Sequence, residues 1–179
     1  YFPGINVIKA SGLPAFFPMI DRLGRLSPGE SYSPLDTPLG LLGTPICFET
    51  IFSHITRKFV RNGAEVIMTV TNDAWFHKTW ALPQHFKKGV YRAIESGRYF
   101  VQTANSGISG IIDPHGKIKE RSRIEDRSIT YGSFSTLNHE TFYVQYGDWL
   151  PYVSLVIVLL SSFSALFRRC GRSLFLASS

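Results

Sequence analysis

The sequence predicts an α/β fold with a mixed sheet packed by helices, and three observations carry that prediction. Short β-branched runs alternate with stretches of helical periodicity between residues 39 and 104. Two further apolar runs then flank Pro114-His115-Gly116, as in a hairpin. Polar clusters fall where the strands end, at Cys47-Phe48-Glu49, Asn72-Asp73 and Asn105-Ser106. Sites in sheets of this class gather beyond the C-terminal ends of strands.

Residues 1–38 hold Pro3, Pro14, Pro18, Pro28, Pro34 and Pro38 and show little periodicity, which predicts irregular loops and short helical turns. Leu39 to Phe48 reads as one strand, or a strand pair, broken near Gly43. Thr50 is placed to cap a helix running to Asn62, with Ile55 and Phe59 on one face and Gly63 as its stop. Glu65 to Thr71 (EVIMTVT) is a strand. A second helix runs from about Leu82 to Ser96, with Leu82, Phe86, Val90, Ala93 and Ile94 on its apolar face. Tyr99 to Ala104 is a strand, Gly107 to Asp113 pairs with Lys117 to Arg121, and Ile129 to Ser135 is a last strand.

The end of this region differs in kind. From Trp149 to Phe167 nineteen residues pass without a charge. As a helix this run spans about 28 Å, close to the hydrocarbon thickness of a bilayer. Trp149 and Tyr152 stand at one end, and Arg168, Arg169 and Arg172 follow the other. That arrangement predicts a transmembrane helix with its basic flank in the cytoplasm. The expected organisation is a catalytic part over 1–148, a membrane helix over 149–167 and a basic cytoplasmic tail over 168–179. The start of the chain, YFPGINVIKA, has no initiator Met or signal-peptide core and reads as the interior of a longer protein.

Composition excludes several classes. The net charge is +6, but three of the basic residues are those of the tail and the rest are interspersed with acids, so no nucleic-acid surface is expected. Two cysteines, Cys47 and Cys170, make neither a disulfide framework nor a zinc site. The five histidines show no metal-ligand spacing, and neither metal nor cofactor is expected.

Cys47 is the candidate nucleophile. A cysteine where a strand meets a helix gains thiolate character from free N–H groups and the helix dipole. The alternative is a small hydrophobe in the core. Glu49, two positions on, would oppose a thiolate if it faced the sulfur, so a cation partner is expected for it. Trp75, Phe76 and Trp80 follow the next strand end and line or shield an apolar pocket, or else fill the core. Asn72 and Asp73 read as fixing loop geometry, His85 as a packed helix residue, and Arg92, Glu95 and Arg98 as an ion-pair set.

The segments TPICFET, RNGAEVIMTVTNDAWF and QHFKKGVYRAIESGRYFVQTANSGISGIIDPHGK, in that order, resemble the carbon–nitrogen hydrolase (nitrilase) superfamily over about residues 39–120. Within it they are similar to the bacterial membrane branch that acylates lipoproteins. The resemblance implies the C-terminal part of a nitrilase-like α-β-β-α sandwich in the bacterial inner membrane, its catalytic part facing the periplasm. It implies a Glu–Lys–Cys triad with Cys47 as the nucleophile and Glu49 as the second glutamate near it. Phe48 stands where this branch commonly has tyrosine. Phe48, Trp75, Phe76 and Asn105 are the expected substrate-binding residues. The implied partners are a phospholipid acyl donor, an apolipoprotein acceptor and the membrane. The triad lysine and base belong upstream; Lys9 lacks the surroundings of that lysine, so both are expected from a missing N-terminal portion. A membrane-tethered amidase and an inactive product of a split gene are the alternatives.

Overall fold

The computed structural model describes residues 29–77, 79–124 and 128–176, with side chains of the last helix as far as Phe163. The expectations for residues 1–28, Lys9 among them, and for the Cys170 side chain lie outside the described residues.

Six strands form one mixed sheet in chain order: β1 (Leu35–Thr37), β2 (Gly40–Gly43), β3 (Val66–Thr71), β4 (Phe100–Ala104), β5 (Gly110–Ile112) and β6 (Ile118–Arg121). The central pairs β2–β3 and β3–β4 are parallel, and the outer pairs are antiparallel. Parallel neighbours need crossovers, and helices α1 (Ser53–Arg61) and α2 (Ala81–Ser96) supply them. A short helix, α3 (Phe142–Tyr146), and a long one, α4 (Trp149–Leu176), follow an irregular stretch.

The helices bury one face of the sheet. Phe59 and Val60 of α1, Phe86 and Ala93 of α2, and Ile67, Phe100 and Ile112 of the strands share one core. Gly89 lets α2 approach β4, because a Cβ there would lie 2.5 Å from the Phe100 ring. Val70 of β3 and Ile46 remain exposed. They pair across an isolated parallel bridge that extends β2's line beyond Gly43. This bridge brings residue 46 to the C-terminal end of β3 and so sets where Cys47 stands.

Several expectations are corrected. The expected strand from Leu39 ends at Gly43 as β2, and it pairs with β1, which lies in the stretch expected to be loop; Thr37 Oγ1 donates to Gly40 O at 2.8 Å and closes the turn. Residues 129–135 form no strand, with Ile129 76% and Tyr131 78% exposed. Thr50 does not cap α1; Phe52 occupies that position, with no side-chain cap, and Thr50 lies buried one turn earlier. Ile94 is exposed, and Arg92, His85 and Ser96 take places on the buried stripe of α2. Arg92 does pair with Glu95 at 2.9 Å, but Arg98 lies beyond the helix and donates to the carbonyls of Ala64, Gly97 and His139. Among the described residues, no helix is long and apolar enough to cross a membrane.

Candidate active site

Cys47 opens a one-turn 3-10 helix, Cys47–Ile51, rather than the α-helix expected of it, so the long-helix dipole is not what surrounds the sulfur. Its backbone is left-handed, with φ of 49°. A side chain there costs of order 1–2 kcal/mol relative to a relaxed conformation. The site is held by neighbours on both sides. Thr69 Oγ1 donates to Pro45 O at 2.7 Å, tying the preceding segment to β3. Glu49 Oε2 accepts from Ile46 N at 2.9 Å, and Glu49 N donates to Ile46 O at 3.0 Å. This reciprocal pair closes the turn around Cys47 as a capping box does. Glu49 is thus engaged by backbone, in place of the cation partner expected for it.

The sharp turn leaves the cysteine half-buried and the sulfur reachable, in contrast to a packed core cysteine. Thr71, the last residue of β3, places Oγ1 3.1 Å from Cys47 Sγ. The same oxygen lies 2.7 Å from Asp73 Oδ1. Asp73 is 1% exposed, and its Oδ1 also lies 2.9 Å from His85 Nδ1 on α2. Opposite a carboxylate oxygen, Nδ1 is the nitrogen that carries a proton. His85 Nε2 sits 3.1 Å from Thr50 Oγ1 and 3.3 Å from Cys47 O, and Thr50 Oγ1 donates to that carbonyl at 2.9 Å. The result is a buried polar ring running Cys47, Thr71, Asp73, His85, Thr50 and back to the Cys47 carbonyl.

The β4 end joins the ring from one side. Asn105 N donates to Thr71 O at 2.9 Å, and Asp73 N donates to Ser106 O at 3.1 Å. Asn72 Oδ1 accepts from Ala74 N and from Ser106 Oγ, both at 3.3 Å. Asn72 therefore orders the loop, whereas Asp73 is part of the buried ring. Asn105 is exposed beside it. Phe76 packs edge-on to His85, with ring centroids 6.0 Å apart. Trp75 and Trp80 are 72% and 83% exposed, so neither is a core aromatic in this chain. Phe48 meets Phe52 edge-on at 6.2 Å. The structure thus brings Cys47, Phe48 and Glu49 into one turn, with Phe76 behind His85 and Asn105 at the neighbouring strand end. A concavity of about 460 Å³ lies elsewhere, at Pro83, Ile108 and Arg121–Ile124.

Sequence reasoning missed Thr71 and His85 as neighbours of the cysteine. One signal was present for His85: it sits three residues after Leu82 on the stripe that buries α2.

A cysteine held in a left-handed turn at a strand end, on a mixed sheet covered by two helices, is an arrangement of the α/β enzyme class. The carbon–nitrogen hydrolase family pattern matches residues 14–133, more than half of the chain, and the chain belongs to that family. It is 36% identical to the apolipoprotein N-acyltransferase of Thermotoga maritima over 93% of its own length and 33% of the relative's. It is 37% identical to the apolipoprotein N-acyltransferase of Geobacter metallireducens over 81% of its length and 28% of the relative's. The chain therefore spans about a third of these curated relatives. Among solved structures it is similar to Nit3 of Saccharomyces cerevisiae, a member of branch 10 of the nitrilase superfamily. That match has a TM-score of 0.50 and 25% identity, and covers 62% of this chain and 43% of the other.

Proposed function

We propose that this chain carries the nucleophile of an apolipoprotein N-acyltransferase. The observation that supports the reading best is the half-buried Cys47 held in a left-handed turn at a strand end, with the Thr71 hydroxyl 3.1 Å from its sulfur. In this reading the Cys47 thiolate attacks the ester carbonyl of a phospholipid. The C–O bond breaks, a lysophospholipid leaves with a proton, and the acyl chain remains on sulfur as a thioester. The α-amine of a diacylglyceryl-cysteine lipoprotein then attacks the thioester, forming an amide and releasing the thiol. Both steps need a general base and an oxyanion donor. These we assign to the remainder of a longer protein, matching the third of its relatives that this chain spans.

Glu49 serves this chemistry through the turn it closes. Phe48 in the Cys47 turn, Phe76 behind His85 and Asn105 at the end of β4 are the substrate-binding residues of this reading, and the exposed Trp75 and Trp80 offer apolar surface for an acyl chain. Residues 149–167 form the membrane anchor in this reading. Between Val153 and Phe163 their described side chains are apolar but for Ser154, Ser161 and Ser162, with Val153, Leu155, Val156, Ile157 and Leu159 all exposed. A helix this apolar is a membrane span or a core helix, and the Phe142–Trp149 pair, with ring centroids 5.6 Å apart, packs at its start. The basic residues Arg168, Arg169 and Arg172 after it support a catalytic part on the periplasmic side of the inner membrane, since basic flanks favour the cytoplasm.

The test is mass spectrometry of Cys47 in the full-length protein supplied with phospholipid. A fatty-acyl adduct on Cys47, lost on adding a lipoprotein acceptor, is expected, and Cys47→Ala abolishes N-acylation. Full activity of Cys47→Ala refutes the reading. An adduct discharged by water but not by the amine makes the protein an amidase.

A further inference from the structure

Thr71 has one hydroxyl proton and two acceptors. Its Oγ1 lies 3.1 Å from Cys47 Sγ and 2.7 Å from Asp73 Oδ1, so a rotation of the O–H bond alone moves the proton from one to the other. Heavy atoms need not move. The arrangement behind it is stiff. Asp73 Oδ1 keeps a second donor, His85 Nδ1 at 2.9 Å, whichever way Thr71 turns. The other carboxylate oxygen, Oδ2, is buried with no hydrogen-bond partner among the described residues. The Gly107 Cα packs against it, where a Cβ would lie 2.7 Å away. A buried carboxylate with an unsatisfied oxygen is costly.

We propose that Thr71 is a positioning residue that switches its hydrogen bond with the state of Cys47, and that Asp73 and His85 form the rest position of that switch. With Cys47 as a thiol, Thr71 donates to Asp73 Oδ1, and its oxygen lone pair receives the S–H. When the base removes the thiol proton, Thr71 turns its own O–H to the thiolate. Asp73 then keeps the His85 N–H. No proton leaves Thr71; only its acceptor changes. Once sulfur carries an acyl group it is a poor acceptor, and the hydroxyl returns to Asp73. A thiolate accepts a stronger hydrogen bond than a thiol does, and Asp73 Oδ1 keeps His85 Nδ1 at 2.9 Å when the hydroxyl turns away, so the switch favours thiolate at the moment of attack. This inference rests on Cys47 being the nucleophile, but its test reads the sulfur's acidity and not acyl transfer.

The experiment measures iodoacetamide alkylation of Cys47 against pH on the full-length protein in detergent, read on the Cys47 peptide by mass spectrometry. The titratable groups facing the site are Asp73, His85 and Glu49. All stay in place in Thr71→Val and Thr71→Ser, which differ in the hydroxyl. Thr71→Val is expected to shift the alkylation profile to higher pH, with a loss of about tenfold in rate at neutral pH. Thr71→Ser is expected to restore most of it. A Thr71→Val profile superimposable on that of the parent overturns the proposal, as does a Thr71→Ser variant as slow as Thr71→Val. Thermal melts of both variants run alongside. If Thr71→Val fails to fold, the serine variant carries the test by itself: it must follow the parent profile, and a shift as large as tenfold refutes the switch. Acyl transfer failing in the full-length protein leaves this alkylation result standing, so the two readings fail separately.

Discussion

A methyl group placed on Gly107 would lie 2.7 Å from Oδ2 of Asp73 and 3.0 Å from its Cβ. The glycine also has φ of +133°, which a side chain rarely adopts. Backbone and contact therefore select glycine together. Gly107→Ala is expected to destabilise the chain by about 1–3 kcal/mol, through strain and overpacking. Gly29, where the nearest atom to an added Cβ is 3.9 Å away, is the control and should accept alanine without loss. Denaturant titration of both variants checks this, and equal midpoints would mean that the loop relaxes away from Asp73.

Glu49 separates two roles that sequence cannot. Its carboxylate accepts from Ile46 N and so closes the turn that holds Cys47 at φ 49°. Glutamine retains an oxygen that can accept the same bond; alanine does not. N-acylation by the full-length protein should fall at least about tenfold for Glu49→Ala, roughly the effect of losing one such capping bond at about 1 kcal/mol or more. Glu49→Gln should retain most activity. Equal loss in both would show that the charge itself acts on the reaction.

The strands β3 and β4 and the helix α2 were legible because their patterns are local. VIMTVT is β-branched, and Leu82, Phe86 and Ala93 recur at helical spacing. Cys47 and Glu49 were legible for the same reason, lying two residues apart at a strand end. The ring behind them was not. Thr71 and Cys47 are separated by 24 residues and His85 and Cys47 by 38, and only the parallel sheet and the packing of α2 bring them together. Propensity misled at residues 129–135, where β-formers such as Ile129 and Tyr131 face solvent. Strand preference reflects fit to a half-buried pleated surface, and no such surface covers them. The β1 half of the first hairpin was missed for the opposite reason, since residues up to Pro38 read as loop, while Leu35–Thr37 pair with β2 and Pro38-Leu39 form the turn.

Arg98 is a buried cation that ties distant backbone together. It is 2% exposed, and it donates to Ala64 O before β3, to Gly97 O after α2 and to His139 O on the returning segment. Burial pushes its guanidinium below the ordinary range, against the opposing influence of Glu140 and Glu65. Arg98→Met removes the donors and leaves buried carbonyls without partners, so a loss of about 3 kcal/mol or more is expected. Arg98→Lys keeps the charge but not the planar fork and should recover only part of it. Urea unfolding of the two variants measures the difference. Parental stability in Arg98→Met would show that water replaces the guanidinium.

Glu95 sets a dependence on pH whose sign follows from its surroundings. Desolvation raises its pKa above the ordinary carboxyl value, opposed by Arg92 and reinforced by Asp148. The folded chain therefore holds the Glu95 proton to higher pH than the unfolded chain does. In the window starting at the unfolded value of 4.5 and ending at the raised folded value, the native state binds more protons. Stability contributed at this position must then fall as pH rises through that window. Below it, both states are protonated and the residue behaves as a neutral one; above it, the cost of burying the charge is fully present. Glu95→Gln removes the titration while keeping the shape. The stability of the parent relative to this variant should decline from acid to neutral pH, followed by denaturant midpoints at closely spaced pH values. A difference that instead grows with pH would mean that the 2.9 Å pair with Arg92 outweighs desolvation, and that Glu95 holds α2 together as an ion.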